Sequence, residues 1–248
     1  MTQGRRATRY YTGFVKPFSL MSAALFGLIP AAGSGARLGA ELPKQYLPIA
    51  GEPMLVHALR ALLRHEEIET VFVVLEPEDM HFRGLDLKEF GSRVAPLYCG
   101  GRTRRDSVRN GLIAVTDAIE PEDWVLVHDA ARPCLSRVDL NALIGQVRDD
   151  EVGGLLAIPL ADTLKRADET EHVARTEARE GLWLAQTPQM FRYAGLLRAL
   201  DAAPDATDES SAIEKLGLKP RLVKASTLNL KITYPGDLAI AETLLKKE

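Results

Sequence analysis

The sequence predicts an α/β fold: a Rossmann-like, mainly parallel sheet with helices on both faces. Three observations predict it. Strand-like and helix-like segments alternate along most of the 248 residues. The strand-like runs are nearly continuous in apolar residues, as in Ile68–Leu75 and Trp124–Val127, which is how strands buried on both faces read. A glycine-bearing loop, Gly33-Ser34-Gly35, joins the first such run to the first helix.

Composition sets the bounds. Apolar content of 46% is ample for a core, and the length suits one large domain, taken as residues 24–248. A net charge of −3 gives no reason to expect nucleic acid as a partner. The charge is uneven. Residues 1–20 hold Arg5, Arg6, Arg9 and Lys16 and no acid, leaving 27 cations against 34 acids elsewhere. Residues 1–23 therefore read as a basic, dispensable extension. The competing reading is a signal peptide, whose cleavage near Ala31 would destroy the glycine loop. The two cysteines, Cys99 and Cys134, suggest no disulfide framework, so a reduced, cytoplasmic setting is expected. No run of roughly 18 apolar residues predicts a membrane span.

Taken in order, Ala24–Ile29 reads as the first strand and Pro53–Arg64 as an amphipathic helix with proline at a good first position. Ile68–Leu75 is the second long strand. Arg93–Tyr98 is a third, placed at an edge by Pro96. A basic helix follows Gly100-Gly101, then the Trp124–Val127 strand, then a helix capped by Ser136 with Asp139 three residues on. Gly153–Pro159 is a further strand. Residues 161–187 are rich in charge and poor in large apolar groups, so they cannot build a core; they read as an insertion or as an arm that meets another subunit. Phe191–Leu200 and Asp208–Leu216 read as short helices, Arg221–Lys224 and Asn229–Ile232 as short strands, and Tyr234-Pro235-Gly236-Asp237 starts a last helix.

The chemistry concentrates in three loops. Gly33 and Gly35 carry no Cβ, so a ligand can press against bare backbone N–H groups, and Arg37 and Lys44 supply positive charge. This suits a polyphosphate. It is not the P-loop, because GxxxxGK[ST] is absent, and Leu38 stands where a dinucleotide fingerprint needs its third glycine. Arg102, Arg104, Arg105 and Arg109, beside a glycine pair, suggest an anion site. Asp129 follows a buried strand, where open α/β sheets bind ligands. None of the five histidines forms a metal-binding pair such as HExxH, so structural zinc is not expected.

Five separated motifs then agree in order and spacing. They are Pro30–Arg37 with Pro43-Lys44-Gln45-Tyr46; Gly100-Gly101 through Arg104 to Asp106-Ser107-Val108; Val127-His128-Asp129-Ala130-Ala131-Arg132-Pro133; Asp162-Thr163-Leu164-Lys165; and Thr207-Asp208-Glu209 with Lys231. Over residues 25–246 the chain resembles the methylerythritol phosphate cytidylyltransferase family of the non-mevalonate isoprenoid pathway. The resemblance implies a fold of nucleotidyltransferase type with a protruding β-arm, about 161–187, through which a homodimer forms. It implies CTP and a polyol phosphate as substrates and Mg²⁺ as cofactor, held mainly by the CTP phosphates with Asp129 as a protein ligand. Arg37, Lys44 and Lys231 are then catalytic. Ala31, Ala32, Gly33, Gly35, Gly101, Ser107 and Asp129 bind nucleotide; Arg132, Thr163, Arg179 and Thr207 bind the second substrate, with Arg179 arriving from a partner's arm.

Each residue also has an ordinary structural use. Arg37 and Lys44 suit solvated loop cations, Asp129 a turn cap, Ser107 a helix start and Thr163 a strand. Arg179 can pair with Glu177 or Glu180, Thr207 can cap a helix, and Lys231 can be an exposed strand lysine. His128 reads as a satisfied histidine, not a base. Two positions depart from the family pattern: Arg102 stands where an acid often follows the glycine pair, and no aspartate precedes Lys231 in Ser226–Leu230. A ribitol 5-phosphate cytidylyltransferase, a non-catalytic nucleotide sensor and a dinucleotide-binding oxidoreductase are the alternatives.

Overall fold

A seven-stranded sheet carries the molecule. The computed structural model describes residues 23–33 and 42–246. In chain order its elements are β1 (Leu25–Pro30), β2 (Pro48–Ile49), β3 (Glu52–Pro53), α1 (Met54–Leu63), β4 (Ile68–Val74), β5 (Val94–Leu97), α2 (Arg104–Ala114), β6 (Trp124–Val127) and α3 (Arg137–Val147). There follow β7 (Gly154–Pro159), β8 (Leu164–Ala167), β9 (Val173–Glu177), β10 (Trp183–Arg192), α4 (Tyr193–Ala202), α5 (Glu209–Lys215), β11 (Arg221–Lys224) and α6 (Pro235–Leu245).

The sheet order is β11-β7-β10-β6-β1-β4-β5. All neighbours are parallel except β10, which runs antiparallel to both β6 and β7. Side-chain alternation explains the continuous apolar runs. Val71 and Val73 join one core with α1 and α3, while Phe72 and Val74 join a second core with α2, α4 and α5. Both faces are buried, so neither face of the strand is polar. A third, smaller cluster seats α6 through Ala241 against Ile49, Met54 and Ile232.

The order also locates the site. From β1 the chain moves outward through β4 to β5, then returns to place β6 on the other side of β1. The sheet therefore reverses its winding between β1 and β6. Crevices at the C-terminal ends of such strands are where open α/β sheets take ligands. Ala31–Gly33 follow β1 and His128–Asp129 follow β6.

Several expectations are corrected. Trp183–Arg192 is a strand of the central sheet, and the helix expected from Phe191 starts at Tyr193. Pro188 and the polar run Gln186-Thr187 conceal this strand in the sequence, since proline argues against a central strand. The ladder accommodates them by a register shift between Ala185 and Gln189. Consequently the separate hairpin is β8 paired with β9, and residues from Trp183 belong to the main sheet. Asn229–Ile232 is irregular, not a strand: the buried Asn229 side chain donates to Gln186 Oε1 and the Thr187 carbonyl, both at 2.9 Å. Pro53 caps α1 in extended conformation instead of occupying its first turn. The Ser136 cap is as read, its Oγ accepting from Asp139 N at 3.1 Å.

Candidate functional site

The β1 loop is anchored from both sides. Ala31 N donates to the Val74 carbonyl at 2.7 Å, and the Ala31 carbonyl accepts from Gln45 Nε2 at 2.6 Å. Gln45 sits in a 3₁₀ turn, Lys44–Tyr46, so this bond fixes the lysine beside the loop. The Lys44 ammonium contacts the Ile232 carbonyl. Gly33, Lys44, Met54, Asp129 and Ala131 line one cleft. On the other side of Gly33, Ala32, Gly101, Arg102, Thr103 and Ser107 line a second. Gly35 and Arg37 lie outside the described residues, as does the extension at 1–22.

The second cleft is built by close approach. A Cβ on Gly100 would lie 2.4 Å from Ala32 Cβ and 2.8 Å from the Leu75 carbonyl oxygen, so only glycine lets the two loops touch. Ser107 Oγ accepts from Gly101 N at 3.0 Å and donates to the Thr103 carbonyl at 3.0 Å. Ser107 thus holds the shape of the glycine turn at the start of α2. Thr103 Oγ1 caps that helix by accepting from Asp106 N at 3.0 Å. Glu76 also lines this cleft, and Glu76–His81 wall a neighbouring pocket against Ala32, Gly33 and Gln45, where the Tyr46 hydroxyl donates to Asp79 Oδ2 at 2.8 Å.

Asp129 is the electrostatic centre. Its carboxylate is buried between two cations, with Arg104 Nε 2.8 Å from Oδ1 and Lys231 Nζ 2.7 Å from Oδ2. Burial works to raise its pKa, but Arg104 and Lys231 hold it far below the usual carboxylate range. Arg104 is held in turn by Glu209, which accepts from Nη1 at 2.7 Å and Nη2 at 3.0 Å. Burial would lower the guanidinium's pKa; the carboxylates of Glu209 and Asp129 raise it instead. The backbone N–H of Asp129 donates to Thr187 Oγ1 at 3.0 Å.

His128 is fully buried and satisfied. Thr187 Oγ1 lies 3.1 Å from Nδ1 and the Arg132 carbonyl 3.0 Å from Nε2. Because Thr187 Oγ1 already accepts from Asp129, its proton goes to Nδ1, and Nε2–H donates to Arg132. Burial pushes the His128 pKa down to about 4. It stays neutral and has no access to a reacting atom.

The remaining predicted residues scatter. Arg132 is buried and donates to the carbonyls of Asn229 at 2.6 Å and Ala185 at 3.4 Å, holding the Asn229–Lys231 segment against β10. Thr163 and Arg179 are both exposed at the base of the β8–β9 hairpin, where Arg179 contacts the Ala161 carbonyl. Glu177 pairs with Arg166 and Arg175, not with Arg179. Thr207 is exposed one residue before Asp208, which is the true cap of α5. In the arginine run, Arg105 and Arg109 bond α4 and its end through the Leu200 carbonyl and Asp201, leaving Arg102 and Arg104 at the cleft.

Two residues gain their individual roles only from the structure: Arg104, read in the sequence as one of four arginines suggesting an anion site, and Glu209, which had no reading of its own. Both lie inside the quoted motifs. A lone glutamate at a helix start reads as a solvated first-turn acid; only its burial reveals the pairing.

A sheet switch point bearing a glycine turn, two lysines and a buried carboxylate defines the class, a phosphate-handling α/β protein. The comparisons are narrower. The family model described as IspD, 2-C-methyl-D-erythritol 4-phosphate cytidylyltransferase, matches residues 25–247. A protein of that name from Aromatoleum aromaticum is 56% identical over 220 residues, covering 89% of this chain and 94% of its own. A crystal structure of a 4-diphosphocytidyl-2C-methyl-D-erythritol synthase superposes with a TM-score of 0.81 at 40% identity, over 91% of this chain and all of that one. The Francisella tularensis 2-C-methyl-D-erythritol 4-phosphate cytidylyltransferase superposes with a TM-score of 0.76 at 34% identity, covering 90% of this chain and 100% of that one. The chain belongs to the 2-C-methyl-D-erythritol 4-phosphate cytidylyltransferase family and is a nucleotidyltransferase.

Proposed function

We propose that this chain transfers CMP from CTP to 2-C-methyl-D-erythritol 4-phosphate, giving 4-diphosphocytidyl-2-C-methyl-D-erythritol and pyrophosphate. A substrate phosphate oxygen attacks the α-phosphorus of CTP in line. The new P–O bond forms as the bond to the β-phosphate breaks, and pyrophosphate leaves. The attacking oxygen is already ionised, so no side-chain base is required, and the buried, neutral His128 agrees with that. The demand is to bring two anions together and stabilise the charge that moves to pyrophosphate.

One observation carries the proposal: Lys44 and Lys231, far apart in sequence, meet at the same end of the sheet. Lys44 touches the carbonyl of Ile232, the residue after Lys231, whose ammonium sits on Asp129. In this reading Lys44, Lys231 and Arg37 neutralise the triphosphate. Ala31, Ala32, Gly33, Gly35, Gly101 and Ser107 form the nucleotide's cradle, and Asp129 stands at ribose and metal.

Mg²⁺ fits this donor set in one way only. No group of three or more His, Cys, Asp or Glu residues gathers for a metal among the described residues. Asp129 offers one carboxylate with lone pairs beyond its two cation contacts. That suits a Mg²⁺ held mainly by the CTP phosphates with one protein carboxylate, not an all-protein cage. Bound so, the ion supplies further neutralisation of phosphate charge.

The residues assigned to the second substrate are spread over the chain. Thr163 and Arg179 lie on the hairpin, and Arg132 and Thr207 near its root and α5. In this reading a homodimer brings Thr163 and Arg179 of one protomer to its partner's cleft. Exposed apolar groups on and beside the arm, Val173 at 64% and Leu184 at 50%, support it. The working compartment is the cytoplasm. No helix of the described residues is long and apolar enough to cross a membrane.

The test is pyrophosphate release with CTP, Mg²⁺ and methylerythritol phosphate, against ATP, GTP and UTP and against ribitol 5-phosphate. Release with CTP and methylerythritol phosphate is expected. CTP binding without release would make the chain a sensor, and faster release with ribitol 5-phosphate would reassign the alcohol.

A further inference from the structure

Glu209 is wholly buried at the first position of α5. A buried carboxylate is costly unless paired, and this one is paired with unusual completeness. Oε1 accepts from Arg104 Nη1 at 2.7 Å and Oε2 from Nη2 at 3.0 Å. Such a two-pronged pair fixes the plane of the guanidinium as well as its place. The third nitrogen, Nε, then points at Asp129 Oδ1 at 2.8 Å. Asp129 Oδ2 meets Lys231 Nζ at 2.7 Å. Four charges alternate in sign from the interior to the cleft, each from a different segment: Glu209, Arg104, Asp129, Lys231.

The inner end of this line is held still. Gln189 of β10 is 1% exposed, and its amide grips the residues on both sides of Glu209. Its Oε1 accepts from Ser210 N at 2.7 Å, and its Nε2 donates to Asp208 Oδ2 at 2.8 Å. The outer end is the reverse. The Lys231 side chain is 44% exposed on a flexible four-carbon stem. A rigid inner end and a mobile outer end suit a positioning device better than a plain stabilising ion pair.

The geometry points to Glu209 as a positioning residue for the transfer: by clamping Arg104 it commits Asp129 Oδ1 inward and leaves Oδ2 as the one seat from which Lys231 is presented to the triphosphate. The inference rests on the reading above that Lys231 acts on the triphosphate. Without the clamp, Arg104 swings, Asp129 rotates and Lys231 loses its seat. A misplacement of an ångström suffices to slow such a reaction.

The test is a double-mutant cycle on the full-length enzyme, read by pyrophosphate release. Glu209→Gln keeps the shape and removes the charge. It is expected to lower kcat about 10-fold while KM for CTP moves less than about 2-fold, and to cost less than about 2-fold in a Lys231→Ala background. Wild-type kcat in Glu209→Gln, or the same loss in both backgrounds, overturns the inference; the second result would make Glu209 a structural residue only. Should Glu209→Gln fail to fold, Arg104→Gln/Glu209→Gln leaves no buried charge unpaired there. It is expected to fold and still lose about 10-fold in kcat, with wild-type turnover again overturning the inference. The two readings separate cleanly. Normal turnover in Lys231→Ala removes the functional reading and this inference with it, whereas normal turnover in Glu209→Gln beside a crippled Lys231→Ala removes this inference alone.

Discussion

Lys231 Nζ lies 2.7 Å from Asp129 Oδ2, and that contact joins the irregular segment before α6 to the end of β6. Asp129 is held by Arg104 as well, so it does not depend on Lys231 for charge compensation. The lysine can leave for a phosphate without stranding a buried anion.

Removing the cations therefore tests chemistry with little risk to the fold. Lys44→Ala, Lys231→Ala and Arg37→Ala are each expected to lower turnover at least ~10²-fold, as loss of a charge contact made in the transition state should. Circular dichroism melts are expected to stay close to wild type. Steady-state pyrophosphate release checks this, and normal turnover in any one variant removes that residue from the catalytic set.

The buried His128 gives the protein an acid limit. Its pKa is lowered to about 4, against an ordinary 6.5, so the unfolded chain binds a proton that the folded one refuses between those values. Stability is full above about pH 6.5 and falls as pH drops toward 4, by ~2 kcal/mol between pH 7 and pH 5. The depressed pKa of Asp129 acts lower, its contribution being lost only below about pH 4. Burial lowers the His65 pKa as well, so the informative quantity is the difference between wild type and His128→Gln. Urea unfolding at pH 7 and pH 5 should show a markedly flatter pH dependence in the variant. Equal slopes would place the acid sensitivity elsewhere.

Gly100 fixes the spacing of the two cleft walls. Gly100→Ala drives a methyl group into Ala32 and the Leu75 carbonyl. The β1 loop and the α2 loop must then separate. KM for CTP is expected to rise about 10-fold, with a smaller change in kcat. Titration calorimetry with CTP provides the check, and unchanged affinity would mean that the nucleotide does not sit between these loops.

The arm predicts an assembly. Leu184→Asp places a charge on an exposed apolar position of β10 beside the hairpin. Sedimentation is expected to show a dimer for wild type and a monomer for the variant, with methylerythritol phosphate turnover reduced at least about 10-fold in the monomer. A fully active monomer would take Thr163 and Arg179 out of the partner's site.

Much of this protein is determined by local pattern. Strands buried on both faces announce themselves as unbroken apolar runs, and Ser136 caps its helix by chemistry confined to four residues, so both are read without the fold. The glycine turns, Lys44 and Asp129 are likewise marked by residue type at the ends of strands. What the tertiary structure decided is which charges meet. The β10 strand hides behind Pro188 and its polar neighbours, because their partners, Asn229, Asp208 and Asp129, are remote in sequence. Arg132 reads in the sequence as a substrate-binding residue, and only the fold adds that its guanidinium holds the carbonyls of Asn229 and Ala185. Glu209 stood in a motif with no role of its own, yet it is the buried end of the charge line that reaches Lys231. Charge type is local, but burial and pairing are set by segments that only the folded sheet brings within 3 Å of one another.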